Sequence, residues 1–214
     1  MARIKIGNVR HPIEYLKQLF APASYGWGEG SPAAQFNASN VDRTAVLVWV
    51  GEDMPTNDSA WLCEFYATSF DGSGNYGHMV ATCQGGVAKG CVCIRLKENG
   101  VWSEWEWVNP PMIANVEYRT TERCKGKVVY RKRVSFKLAS STSSKFTVPH
   151  EISDFDSLVK HHAVLQYKFP LPYTHNGNTT WVSEVNDTNI VVSNTGQAWD
   201  TSYTWEFELY YTKD

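Results

Sequence analysis

Several features that would assign a protein to a class at once are missing from this sequence. No apolar run reaches the length of about 18 residues that a membrane-spanning helix needs, so we expect no membrane insertion. The first residues lack the apolar core of a secretion signal, which predicts synthesis and folding in a cytoplasm. The 20 Lys and Arg residues are balanced by 22 Asp and Glu residues, and this excludes the basic excess typical of nucleic-acid-binding proteins.

The motifs of common catalytic and metal-binding sites are absent as well. There is no Gly-rich phosphate loop, no nucleophilic Ser between a strand and a helix, and no paired-His metal motif. The five cysteines are odd in number and do not form a disulfide framework. We therefore predict a protein that is not an enzyme and that uses no cofactor and no metal.

Two groups of potential metal ligands leave an alternative open. Cys91 and Cys93 put two thiols on one face of a predicted strand, and we interpret them as small core residues. The alternative is a zinc site that Cys83 or Cys63 completes. Adjacent histidines at 161 and 162 point to opposite faces of another predicted strand, so only one could hold a metal on the axis of a trimer. We interpret both as ordinary packing or surface residues.

Acidic residues two positions apart lie on the same face of a strand, where a pair of carboxylates could serve a glycosidase. Alternation also puts such pairs wherever a strand faces water, and we favour this second interpretation. The pairs are Glu104 with Glu106, Asp154 with Asp156, and Glu206 with Glu208.

What the sequence does contain is aromatic residues, with nine Trp, eleven Tyr and nine Phe. Large flat rings suit pleated sheets, so this composition favours an all-β fold. The last run alternates most clearly, with Trp205, Phe207, Leu209 and Tyr211 predicted on a buried face and the residues between them on a wetter face. A short helix is predicted at 11–20, followed by a loop at 21–34. The other predicted strands are 45–50, 61–68, 76–82, 90–96, 101–108, 127–136, 161–169, 181–184 and 188–192.

Turn signals and prolines divide the chain. Asn99-Gly100 between two apolar-rich runs predicts a β-hairpin. Pro110 and Pro111 cannot continue a central ladder, so we place a domain boundary there. The predicted organisation is an N-terminal helix and linker (1–34), a small β domain (35–111) and a larger β domain (112–214).

Two sets of residues are candidates for binding. A basic cluster is interpreted as a solvated strand face, with contact to anionic polymers as the alternative. It comprises Arg123, Lys125, Lys127, Arg131, Lys132 and Arg133. Aromatic rings among polar, turn-forming residues suit sugar binding, although rings in such places also cap a core. The resulting candidate ligand-binding residues are Tyr173, His175, Asn178, Trp181, Trp199 and Tyr203.

Several runs resemble the tail-fibre proteins of phages and prophages. The run 99–111, with its Trp102-x-x-Trp105 hairpin after Gln84 and Arg95, resembles the end of the knob domain of phage and pyocin tail fibres. The runs 116–132, 147–152 and 210–213 resemble a C-terminal domain of tail proteins from phages of gut bacteria, and 21–29 resembles a linker found upstream. Together these runs cover about half of the chain.

This resemblance implies an elongated homotrimer with a C-terminal β-sandwich farthest from the virion. It also implies synthesis in the cytoplasm of the host bacterium, attachment to other virion tail proteins, and binding to a glycan or protein of the bacterial surface. We expect neither a nucleic-acid partner nor a membrane partner. The alternative functions are a glycan-degrading tailspike-like enzyme and a purely structural virion fibre or decoration protein.

Overall fold

The computed structural model of the chain describes residues 45–49, 53–68, 75–137, 144–165, 169–175, 179–195 and 203–214. For residues 45–49, 169, 173–175 and 179 this covers the backbone alone. The regular elements in the described part are strands, so the predicted all-β class is confirmed there. The predicted helix 11–20 and loop 21–34 lie outside it. The described residues contain no helix with the length and apolarity that a membrane span requires.

The chain divides into two compact units between Pro111 and Met112. The strands of the N-terminal unit are β1 (Ala45–Trp49), β2 (Trp61–Ala67), β3 (Gly77–Cys83), β4 (Val92–Glu98), β5 (Val101–Trp102) and β6 (Glu106–Trp107). Their antiparallel sheet has the order β1-β2-β3-β4-β6, and β5 pairs with β4. The predicted hairpin at Asn99–Gly100 is confirmed, because both residues have the positive φ of a type I′ turn, 50° and 80°.

The predicted strand 101–108 is wrong as a single element, because β5 and β6 are separate. After β5, Ser103 still bonds to β4: its amide donates to the Leu96 carbonyl at 2.8 Å, but its hydroxyl, instead of a backbone carbonyl, accepts from the Leu96 amide at 3.0 Å. The indole of Trp105 then donates to the Asp53 carbonyl at 2.8 Å. The strand is therefore interrupted where the Trp105 side chain bonds to Asp53 and its ring contacts Arg95.

One face of the N-terminal sheet is a core that contains a buried cation. Arg95 is 6% exposed, and its guanidinium lies between the rings of Trp102 and Trp105, with centroids 4.3 and 4.4 Å away. Burial lowers the pKa of Arg95 to about 10, against an opposing contribution from Asp53, so the side chain stays charged at neutral pH. Two aromatic faces therefore replace much of the water that this cation loses on folding.

The C-terminal unit is a β-sandwich. Its first sheet has the order β7-β8-β15-β10-β11 and its second sheet the order β12-β13-β14-β9. The strands are β7 (Glu117–Cys124), β8 (Lys127–Lys137), β9 (Lys145–Pro149), β10 (Phe155–Leu165), β11 (Phe169–Pro170), β12 (Tyr173–His175), β13 (Thr179–Val185), β14 (Asn189–Asn194) and β15 (Thr204–Lys213). The predicted strand 161–169 is wrong at both ends, since β10 begins earlier and β11 folds back to pair with it.

The core of the sandwich forms around β15, the central strand of the first sheet. Trp205, Phe207, Leu209 and Tyr211 are each at most 1% exposed, which confirms the predicted alternation of the last run. The core cluster also includes residues from the neighbouring strands of the first sheet and from the second sheet. These are Val134, Ala163, Leu165, Trp181, Ile190 and Val192.

A buried histidine joins β9 to the turn between β13 and β14. His150 is 1% exposed; its Nδ1 accepts from the Ile152 amide at 3.2 Å, and its Nε2 lies 3.1 Å from the Asn186 carbonyl. These two partners require a proton on Nε2 and none on Nδ1, so the neutral tautomer is built into the fold. Burial lowers the pKa of His150, Lys132 acts in the same direction, and the hydrogen bond to Asn186 opposes both.

We expect acid to destabilise the C-terminal unit through this histidine. The unfolded chain protonates His150 near the ordinary His pKa of about 6.5, whereas the folded chain resists protonation, so the free energy of unfolding falls as the pH drops below about 6.5. His161, whose pKa is lowered by burial and then by His162, adds to the same loss. Urea unfolding from pH 7.5 to 5 should show a smaller slope in His150→Gln than in wild type. An unchanged slope would remove His150 from this account.

Candidate functional site

The candidate site is the outer face of the first sheet of the C-terminal unit, the side that points away from the second sheet. Here β15 lies between β8 and β10. Its Tyr210 is opposite Arg131 on β8 and Lys160 on β10, and its Glu208 is opposite Arg133 and His162. Alternation puts all of these side chains on one surface. The outer face is lined by Arg131, Arg133, Lys160, His162, Glu206, Glu208 and Tyr210.

Tyr210 is the centre of this face. This residue is 7% exposed although its side chain points away from the sandwich core, because cationic side chains cover it. The Arg131 guanidinium lies 4.6 Å and the Lys160 ammonium 4.1 Å from the ring centroid, and the His162 ring meets it edge-on at 6.0 Å. The expectation that position 210 belongs to a wetter face is therefore wrong for Tyr210. The quadrupole of the ring, which attracts cations to its face, explains the difference.

A carboxylate fixes the other end of this tyrosine. The Tyr210 hydroxyl donates to Glu208 Oε1 at 2.6 Å, and Arg131 forms an ion pair with the same oxygen. Burial and then the hydrogen bond to Glu208 raise the pKa of Tyr210 to about 12, so its hydroxyl remains protonated. Burial acts to raise the pKa of Glu208, but the hydrogen bonds from Tyr210 and Arg131 outweigh it and lower the pKa. Glu208 therefore stays ionised.

The charges of the outer face do not cancel. Arg131 pairs with Glu208 and Arg133 pairs with Glu206, so two cations meet two anions. Lys160 is exposed, and in the described part of the chain it forms no ion pair with a carboxylate. The seven lining residues thus carry one net positive charge, and Glu122 of the neighbouring strand β7, whose charge also acts on Tyr210, lies near them. Its groups are held in place by a rigid sheet, which suits them to hold an anion.

Two members of the predicted basic cluster contribute to the outer face, but the cluster as a whole does not form one solvated face of a strand. Lys132 is 6% exposed, points the other way and donates to the Glu151 carbonyl at 2.8 Å. Lys127 pairs with Asp156 at 3.0 Å and with Asp214 at 3.1 Å. Arg131 and Arg133, two residues apart on β8, are the members that reach the outer face.

The residues predicted to bind a ligand are elsewhere, and the structure describes four of the six. Trp181 is 9% exposed in the sandwich core, and Tyr203 is half-buried against that core. Tyr173 and His175 lie on β12, where Tyr173 pairs with Trp181 across to β13. The two others, Asn178 and Trp199, lie outside the described residues. Tyr173 and Trp181 are thus brought together as cross-strand neighbours.

Other residues with an open interpretation are placed as follows. His161 and His162 do point to opposite faces, since His161 lies 3.1 Å from Ser183 Oγ of the second sheet and His162 lies beside Tyr210. Cys91 and Cys93 are both buried on the core face of the N-terminal sheet. Of the predicted carboxylate pairs, Glu206 and Glu208 are bound to the two arginines of the outer face.

The outer face was missed at the level of sequence, although a signal for it exists. Arg131 and Arg133 alternate on one predicted strand as Glu206 and Glu208 alternate on another. Opposite charges at the same spacing are the pattern of cross-strand partners. The pattern does not show which strands pair with each other. Without the pairing of β15 with β10, Tyr210 and Lys160 cannot be placed side by side.

Comparisons with known proteins were made for the sequence and for the fold. No protein-family model matches the sequence, and no curated protein matches it either. Among solved structures, the chain is similar to C-terminal parts of the R1 and R2 pyocin fibres of P. aeruginosa, with TM-scores of 0.25 and 0.26 and 10% identity to each. The matches cover 79% and 81% of this chain. The chain spans 63% and 64% of the length of those structures.

Removing the charge of Glu208 should destabilise the outer face. In Glu208→Gln the Arg131 side chain, 18% exposed, loses its anion while it stays beside Lys160, and we expect a loss of about 1–2 kcal/mol in the free energy of unfolding. Glu206→Gln is the matched control, because its partner Arg133 is 35% exposed and is better solvated after the change, with a loss below about 1 kcal/mol. Urea titration measures both. Equal losses would contradict the central place given to Tyr210 and Glu208.

Proposed function

We propose that this protein is a non-catalytic receptor-binding protein of a phage tail fibre, and that it recognises a glycan on the bacterial cell surface. The observation that carries the proposal is the outer face, where cations surround Tyr210 on a rigid β-sandwich. The resemblance of the runs 99–111 and 116–132 to tail-fibre proteins supports the same function. A position at the tip of a virion fibre, attached to other tail proteins, follows from this proposal.

The chemistry of the outer face favours an anionic glycan. Bacterial wall polymers that carry phosphate or carboxylate groups offer charges along an extended chain, and a flat sheet accepts such a chain more readily than a deep pocket does. Lys160, His162 and Arg133 supply donors at the surface of the sheet. Each contact is weak because the groups are exposed to solvent and screened by salt. Adsorption then depends on several copies of the site acting together.

A homotrimer is part of this proposal, and the N-terminal sheet supports self-association. Its second face carries a row in which Tyr66 pairs with His78 and His78 pairs with Leu96. Tyr66 is 42% and Leu96 60% exposed, and the Tyr66 and His78 rings stack at 5.0 Å. Apolar side chains along a solvent-facing sheet are typical of a contact surface, and another copy of this chain is the proposed occupant.

Two other functions, a glycan-degrading enzyme and a structural virion protein, predict different results. A glycan-degrading enzyme would release reducing sugar from bacterial envelopes, and a purely structural virion protein would leave whole cells unlabelled. We propose neither, because the acids of the outer face are committed to arginine partners instead of flanking a cleft. A reducing-sugar assay and a cell-binding panel across bacterial strains separate the three functions.

Reversing one charge on the outer face should weaken cell binding without unfolding the protein. We expect Lys160→Glu to reduce the binding of fluorescent protein to susceptible cells several-fold, because it opposes an anionic polymer and adds to the acids already present. The melting temperature should fall by only about 5 °C, because the change removes one cation–π contact with Tyr210, worth about 0.5–1 kcal/mol. Lys89→Glu, the same change at an exposed position of the other unit, is the control. Equal binding by both variants would move recognition away from the outer face.

The residues predicted from sequence provide a second comparison. We expect Tyr173→Ala and His175→Ala to lower binding with little change in stability if the ends of the second sheet contact the receptor. Trp181→Ala should instead lower stability by about 3–5 kcal/mol, because it empties a core position. Thermal melts and cell binding of the three variants distinguish a contact residue from a core residue.

Light scattering tests the trimer. A mass near three times 24.2 kDa is expected for the wild type, and Leu96→Glu should shift it toward the mass of one chain because it buries a charge in the contact. Val87→Glu, at a 70% exposed loop position of the same unit, should leave the trimer intact. A wild-type chain that is monomeric at all concentrations would exclude this part of the proposal.

A further inference from the structure

Two cysteines of the N-terminal unit face each other across neighbouring strands. The Cys83 amide donates to the Cys91 carbonyl at 2.9 Å, and the Gly90 amide donates to the Cys83 carbonyl at 2.9 Å. Cys83 is therefore opposite a bulge formed by Gly90 and Cys91, and Gly90 has the φ of +80° that such a bulge requires. Both thiols lie on the core face, with Cys83 2% and Cys91 8% exposed.

The spacing of this pair fits a disulfide bond. Cys83 lies across the ladder from the bulge residue Cys91, where opposed Cα atoms of antiparallel strands are about 4.5–5.5 Å apart, within the range of about 4.4–6.8 Å found in disulfides. The other cysteines of the unit do not fit. Cys63 and Cys93 are both paired with Ala81 and so lie on opposite sides of β3, about 10 Å apart. Cys93 is a diagonal neighbour of Cys83, at about 7–8 Å.

We infer that Cys83 and Cys91 are a redox site, and that an oxidant converts them into a cross-strand disulfide that links the two ends of the loop 84–90. In the reaction the two S–H bonds break and one S–S bond forms. The two protons and two electrons pass to the oxidant, such as the diazene diamide, which becomes a hydrazine. The Cys83 thiol, which now donates to the Gly85 carbonyl at 3.1 Å, exchanges that hydrogen bond for the covalent bond.

The surroundings favour this pair over the other buried thiols of the unit. Cys91 is the most exposed of the four, so a small oxidant reaches it first. Burial and then the neighbouring Cys83 raise the pKa of Cys91, which makes the reaction slow at neutral pH and faster in mild alkali. Burial raises the pKa of Cys63 to about 12 and also raises that of Cys93, so their thiolates are scarcer.

The bond would change the loop more than the sheet. The sequence Gln84-Gly-Gly-Val-Ala-Lys-Gly90 contains three glycines, so its unfolded state has a large conformational entropy. In the folded state the loop is held by single hydrogen bonds, such as Lys89 to Gly86 at 3.3 Å and Cys91 to Ala88 at 2.8 Å. A covalent bond between its ends lowers the conformational entropy of the unfolded chain and so raises the free energy of unfolding. The protein could thus fold with free thiols and become stiffer when it meets an oxidising environment.

The test is diamide treatment of the native full-length protein at pH 8, with peptide mapping after the remaining thiols are alkylated. We expect a loss of about 2 Da per chain, one peptide pair joined through Cys83 and Cys91, and reversal by dithiothreitol. The melting transition of the N-terminal unit should rise by roughly 5 °C or more. Recovery of all five thiols in alkylated form, or a bond between any other two cysteines, would overturn the inference.

Variants sharpen this result. Cys124→Ala removes the half-exposed thiol of the other unit, which could otherwise form disulfides between chains. In this variant the rise in melting temperature should persist. Cys91→Ala should abolish the mass loss and the rise together, whereas the substitution of another buried cysteine, Cys93→Ala on β4, should keep both. Because the peptide map of the wild type needs no substitution, the inference can fail even where a variant does not fold.

Discussion

The position of β15 between β8 and β10 is the constraint on which the C-terminal unit depends. A central strand has neighbours on both edges, so the residues on each of its faces meet partners from two other strands. On one face this produces the row Trp205, Phe207, Leu209 and Tyr211, which the second sheet covers. Four large side chains at most 1% exposed form the largest apolar contribution of any strand in this unit. Register follows from this burial, because a slip of one residue would put the row in water.

The same constraint determines the outer face. Once the row from Trp205 to Tyr211 is buried, the residues between them must point the other way, to the side opposite the second sheet. Tyr210 is protected instead by Arg131 and Lys160, whose guanidinium and ammonium groups lie over its ring. Glu208 then neutralises one of these cations. The outer face is a thin polar layer that depends on the register of the core beneath it.

Local patterns predicted much of this fold, and long-range pairing explains what they missed. The alternation of the last strand and the Asn99–Gly100 turn depend on neighbours in sequence, and both are confirmed. The break before Trp105 depends on a hydrogen bond to Asp53, far away in the chain. The polar neighbours of Trp181 made it a candidate ligand-binding residue at the start of the predicted strand 181–184, but β13 brings its ring into the core. The burial of Tyr210 depends on the pairing of three strands. Residues that act across strands are invisible to a local pattern.

The two faces of β15 also differ in how much change they tolerate. Truncating a core residue such as Phe207 leaves a cavity that a packed sandwich cannot close, at a cost of several kcal/mol. Exchanging a charge on the outer face costs less, about 2 kcal/mol or below, because its ion pairs are only partly buried. A surface built on this strand can therefore change its pattern of charges while the fold beneath it is preserved. The receptor binding proposed above would use this separation, which in this chain results from the period of two in a single strand.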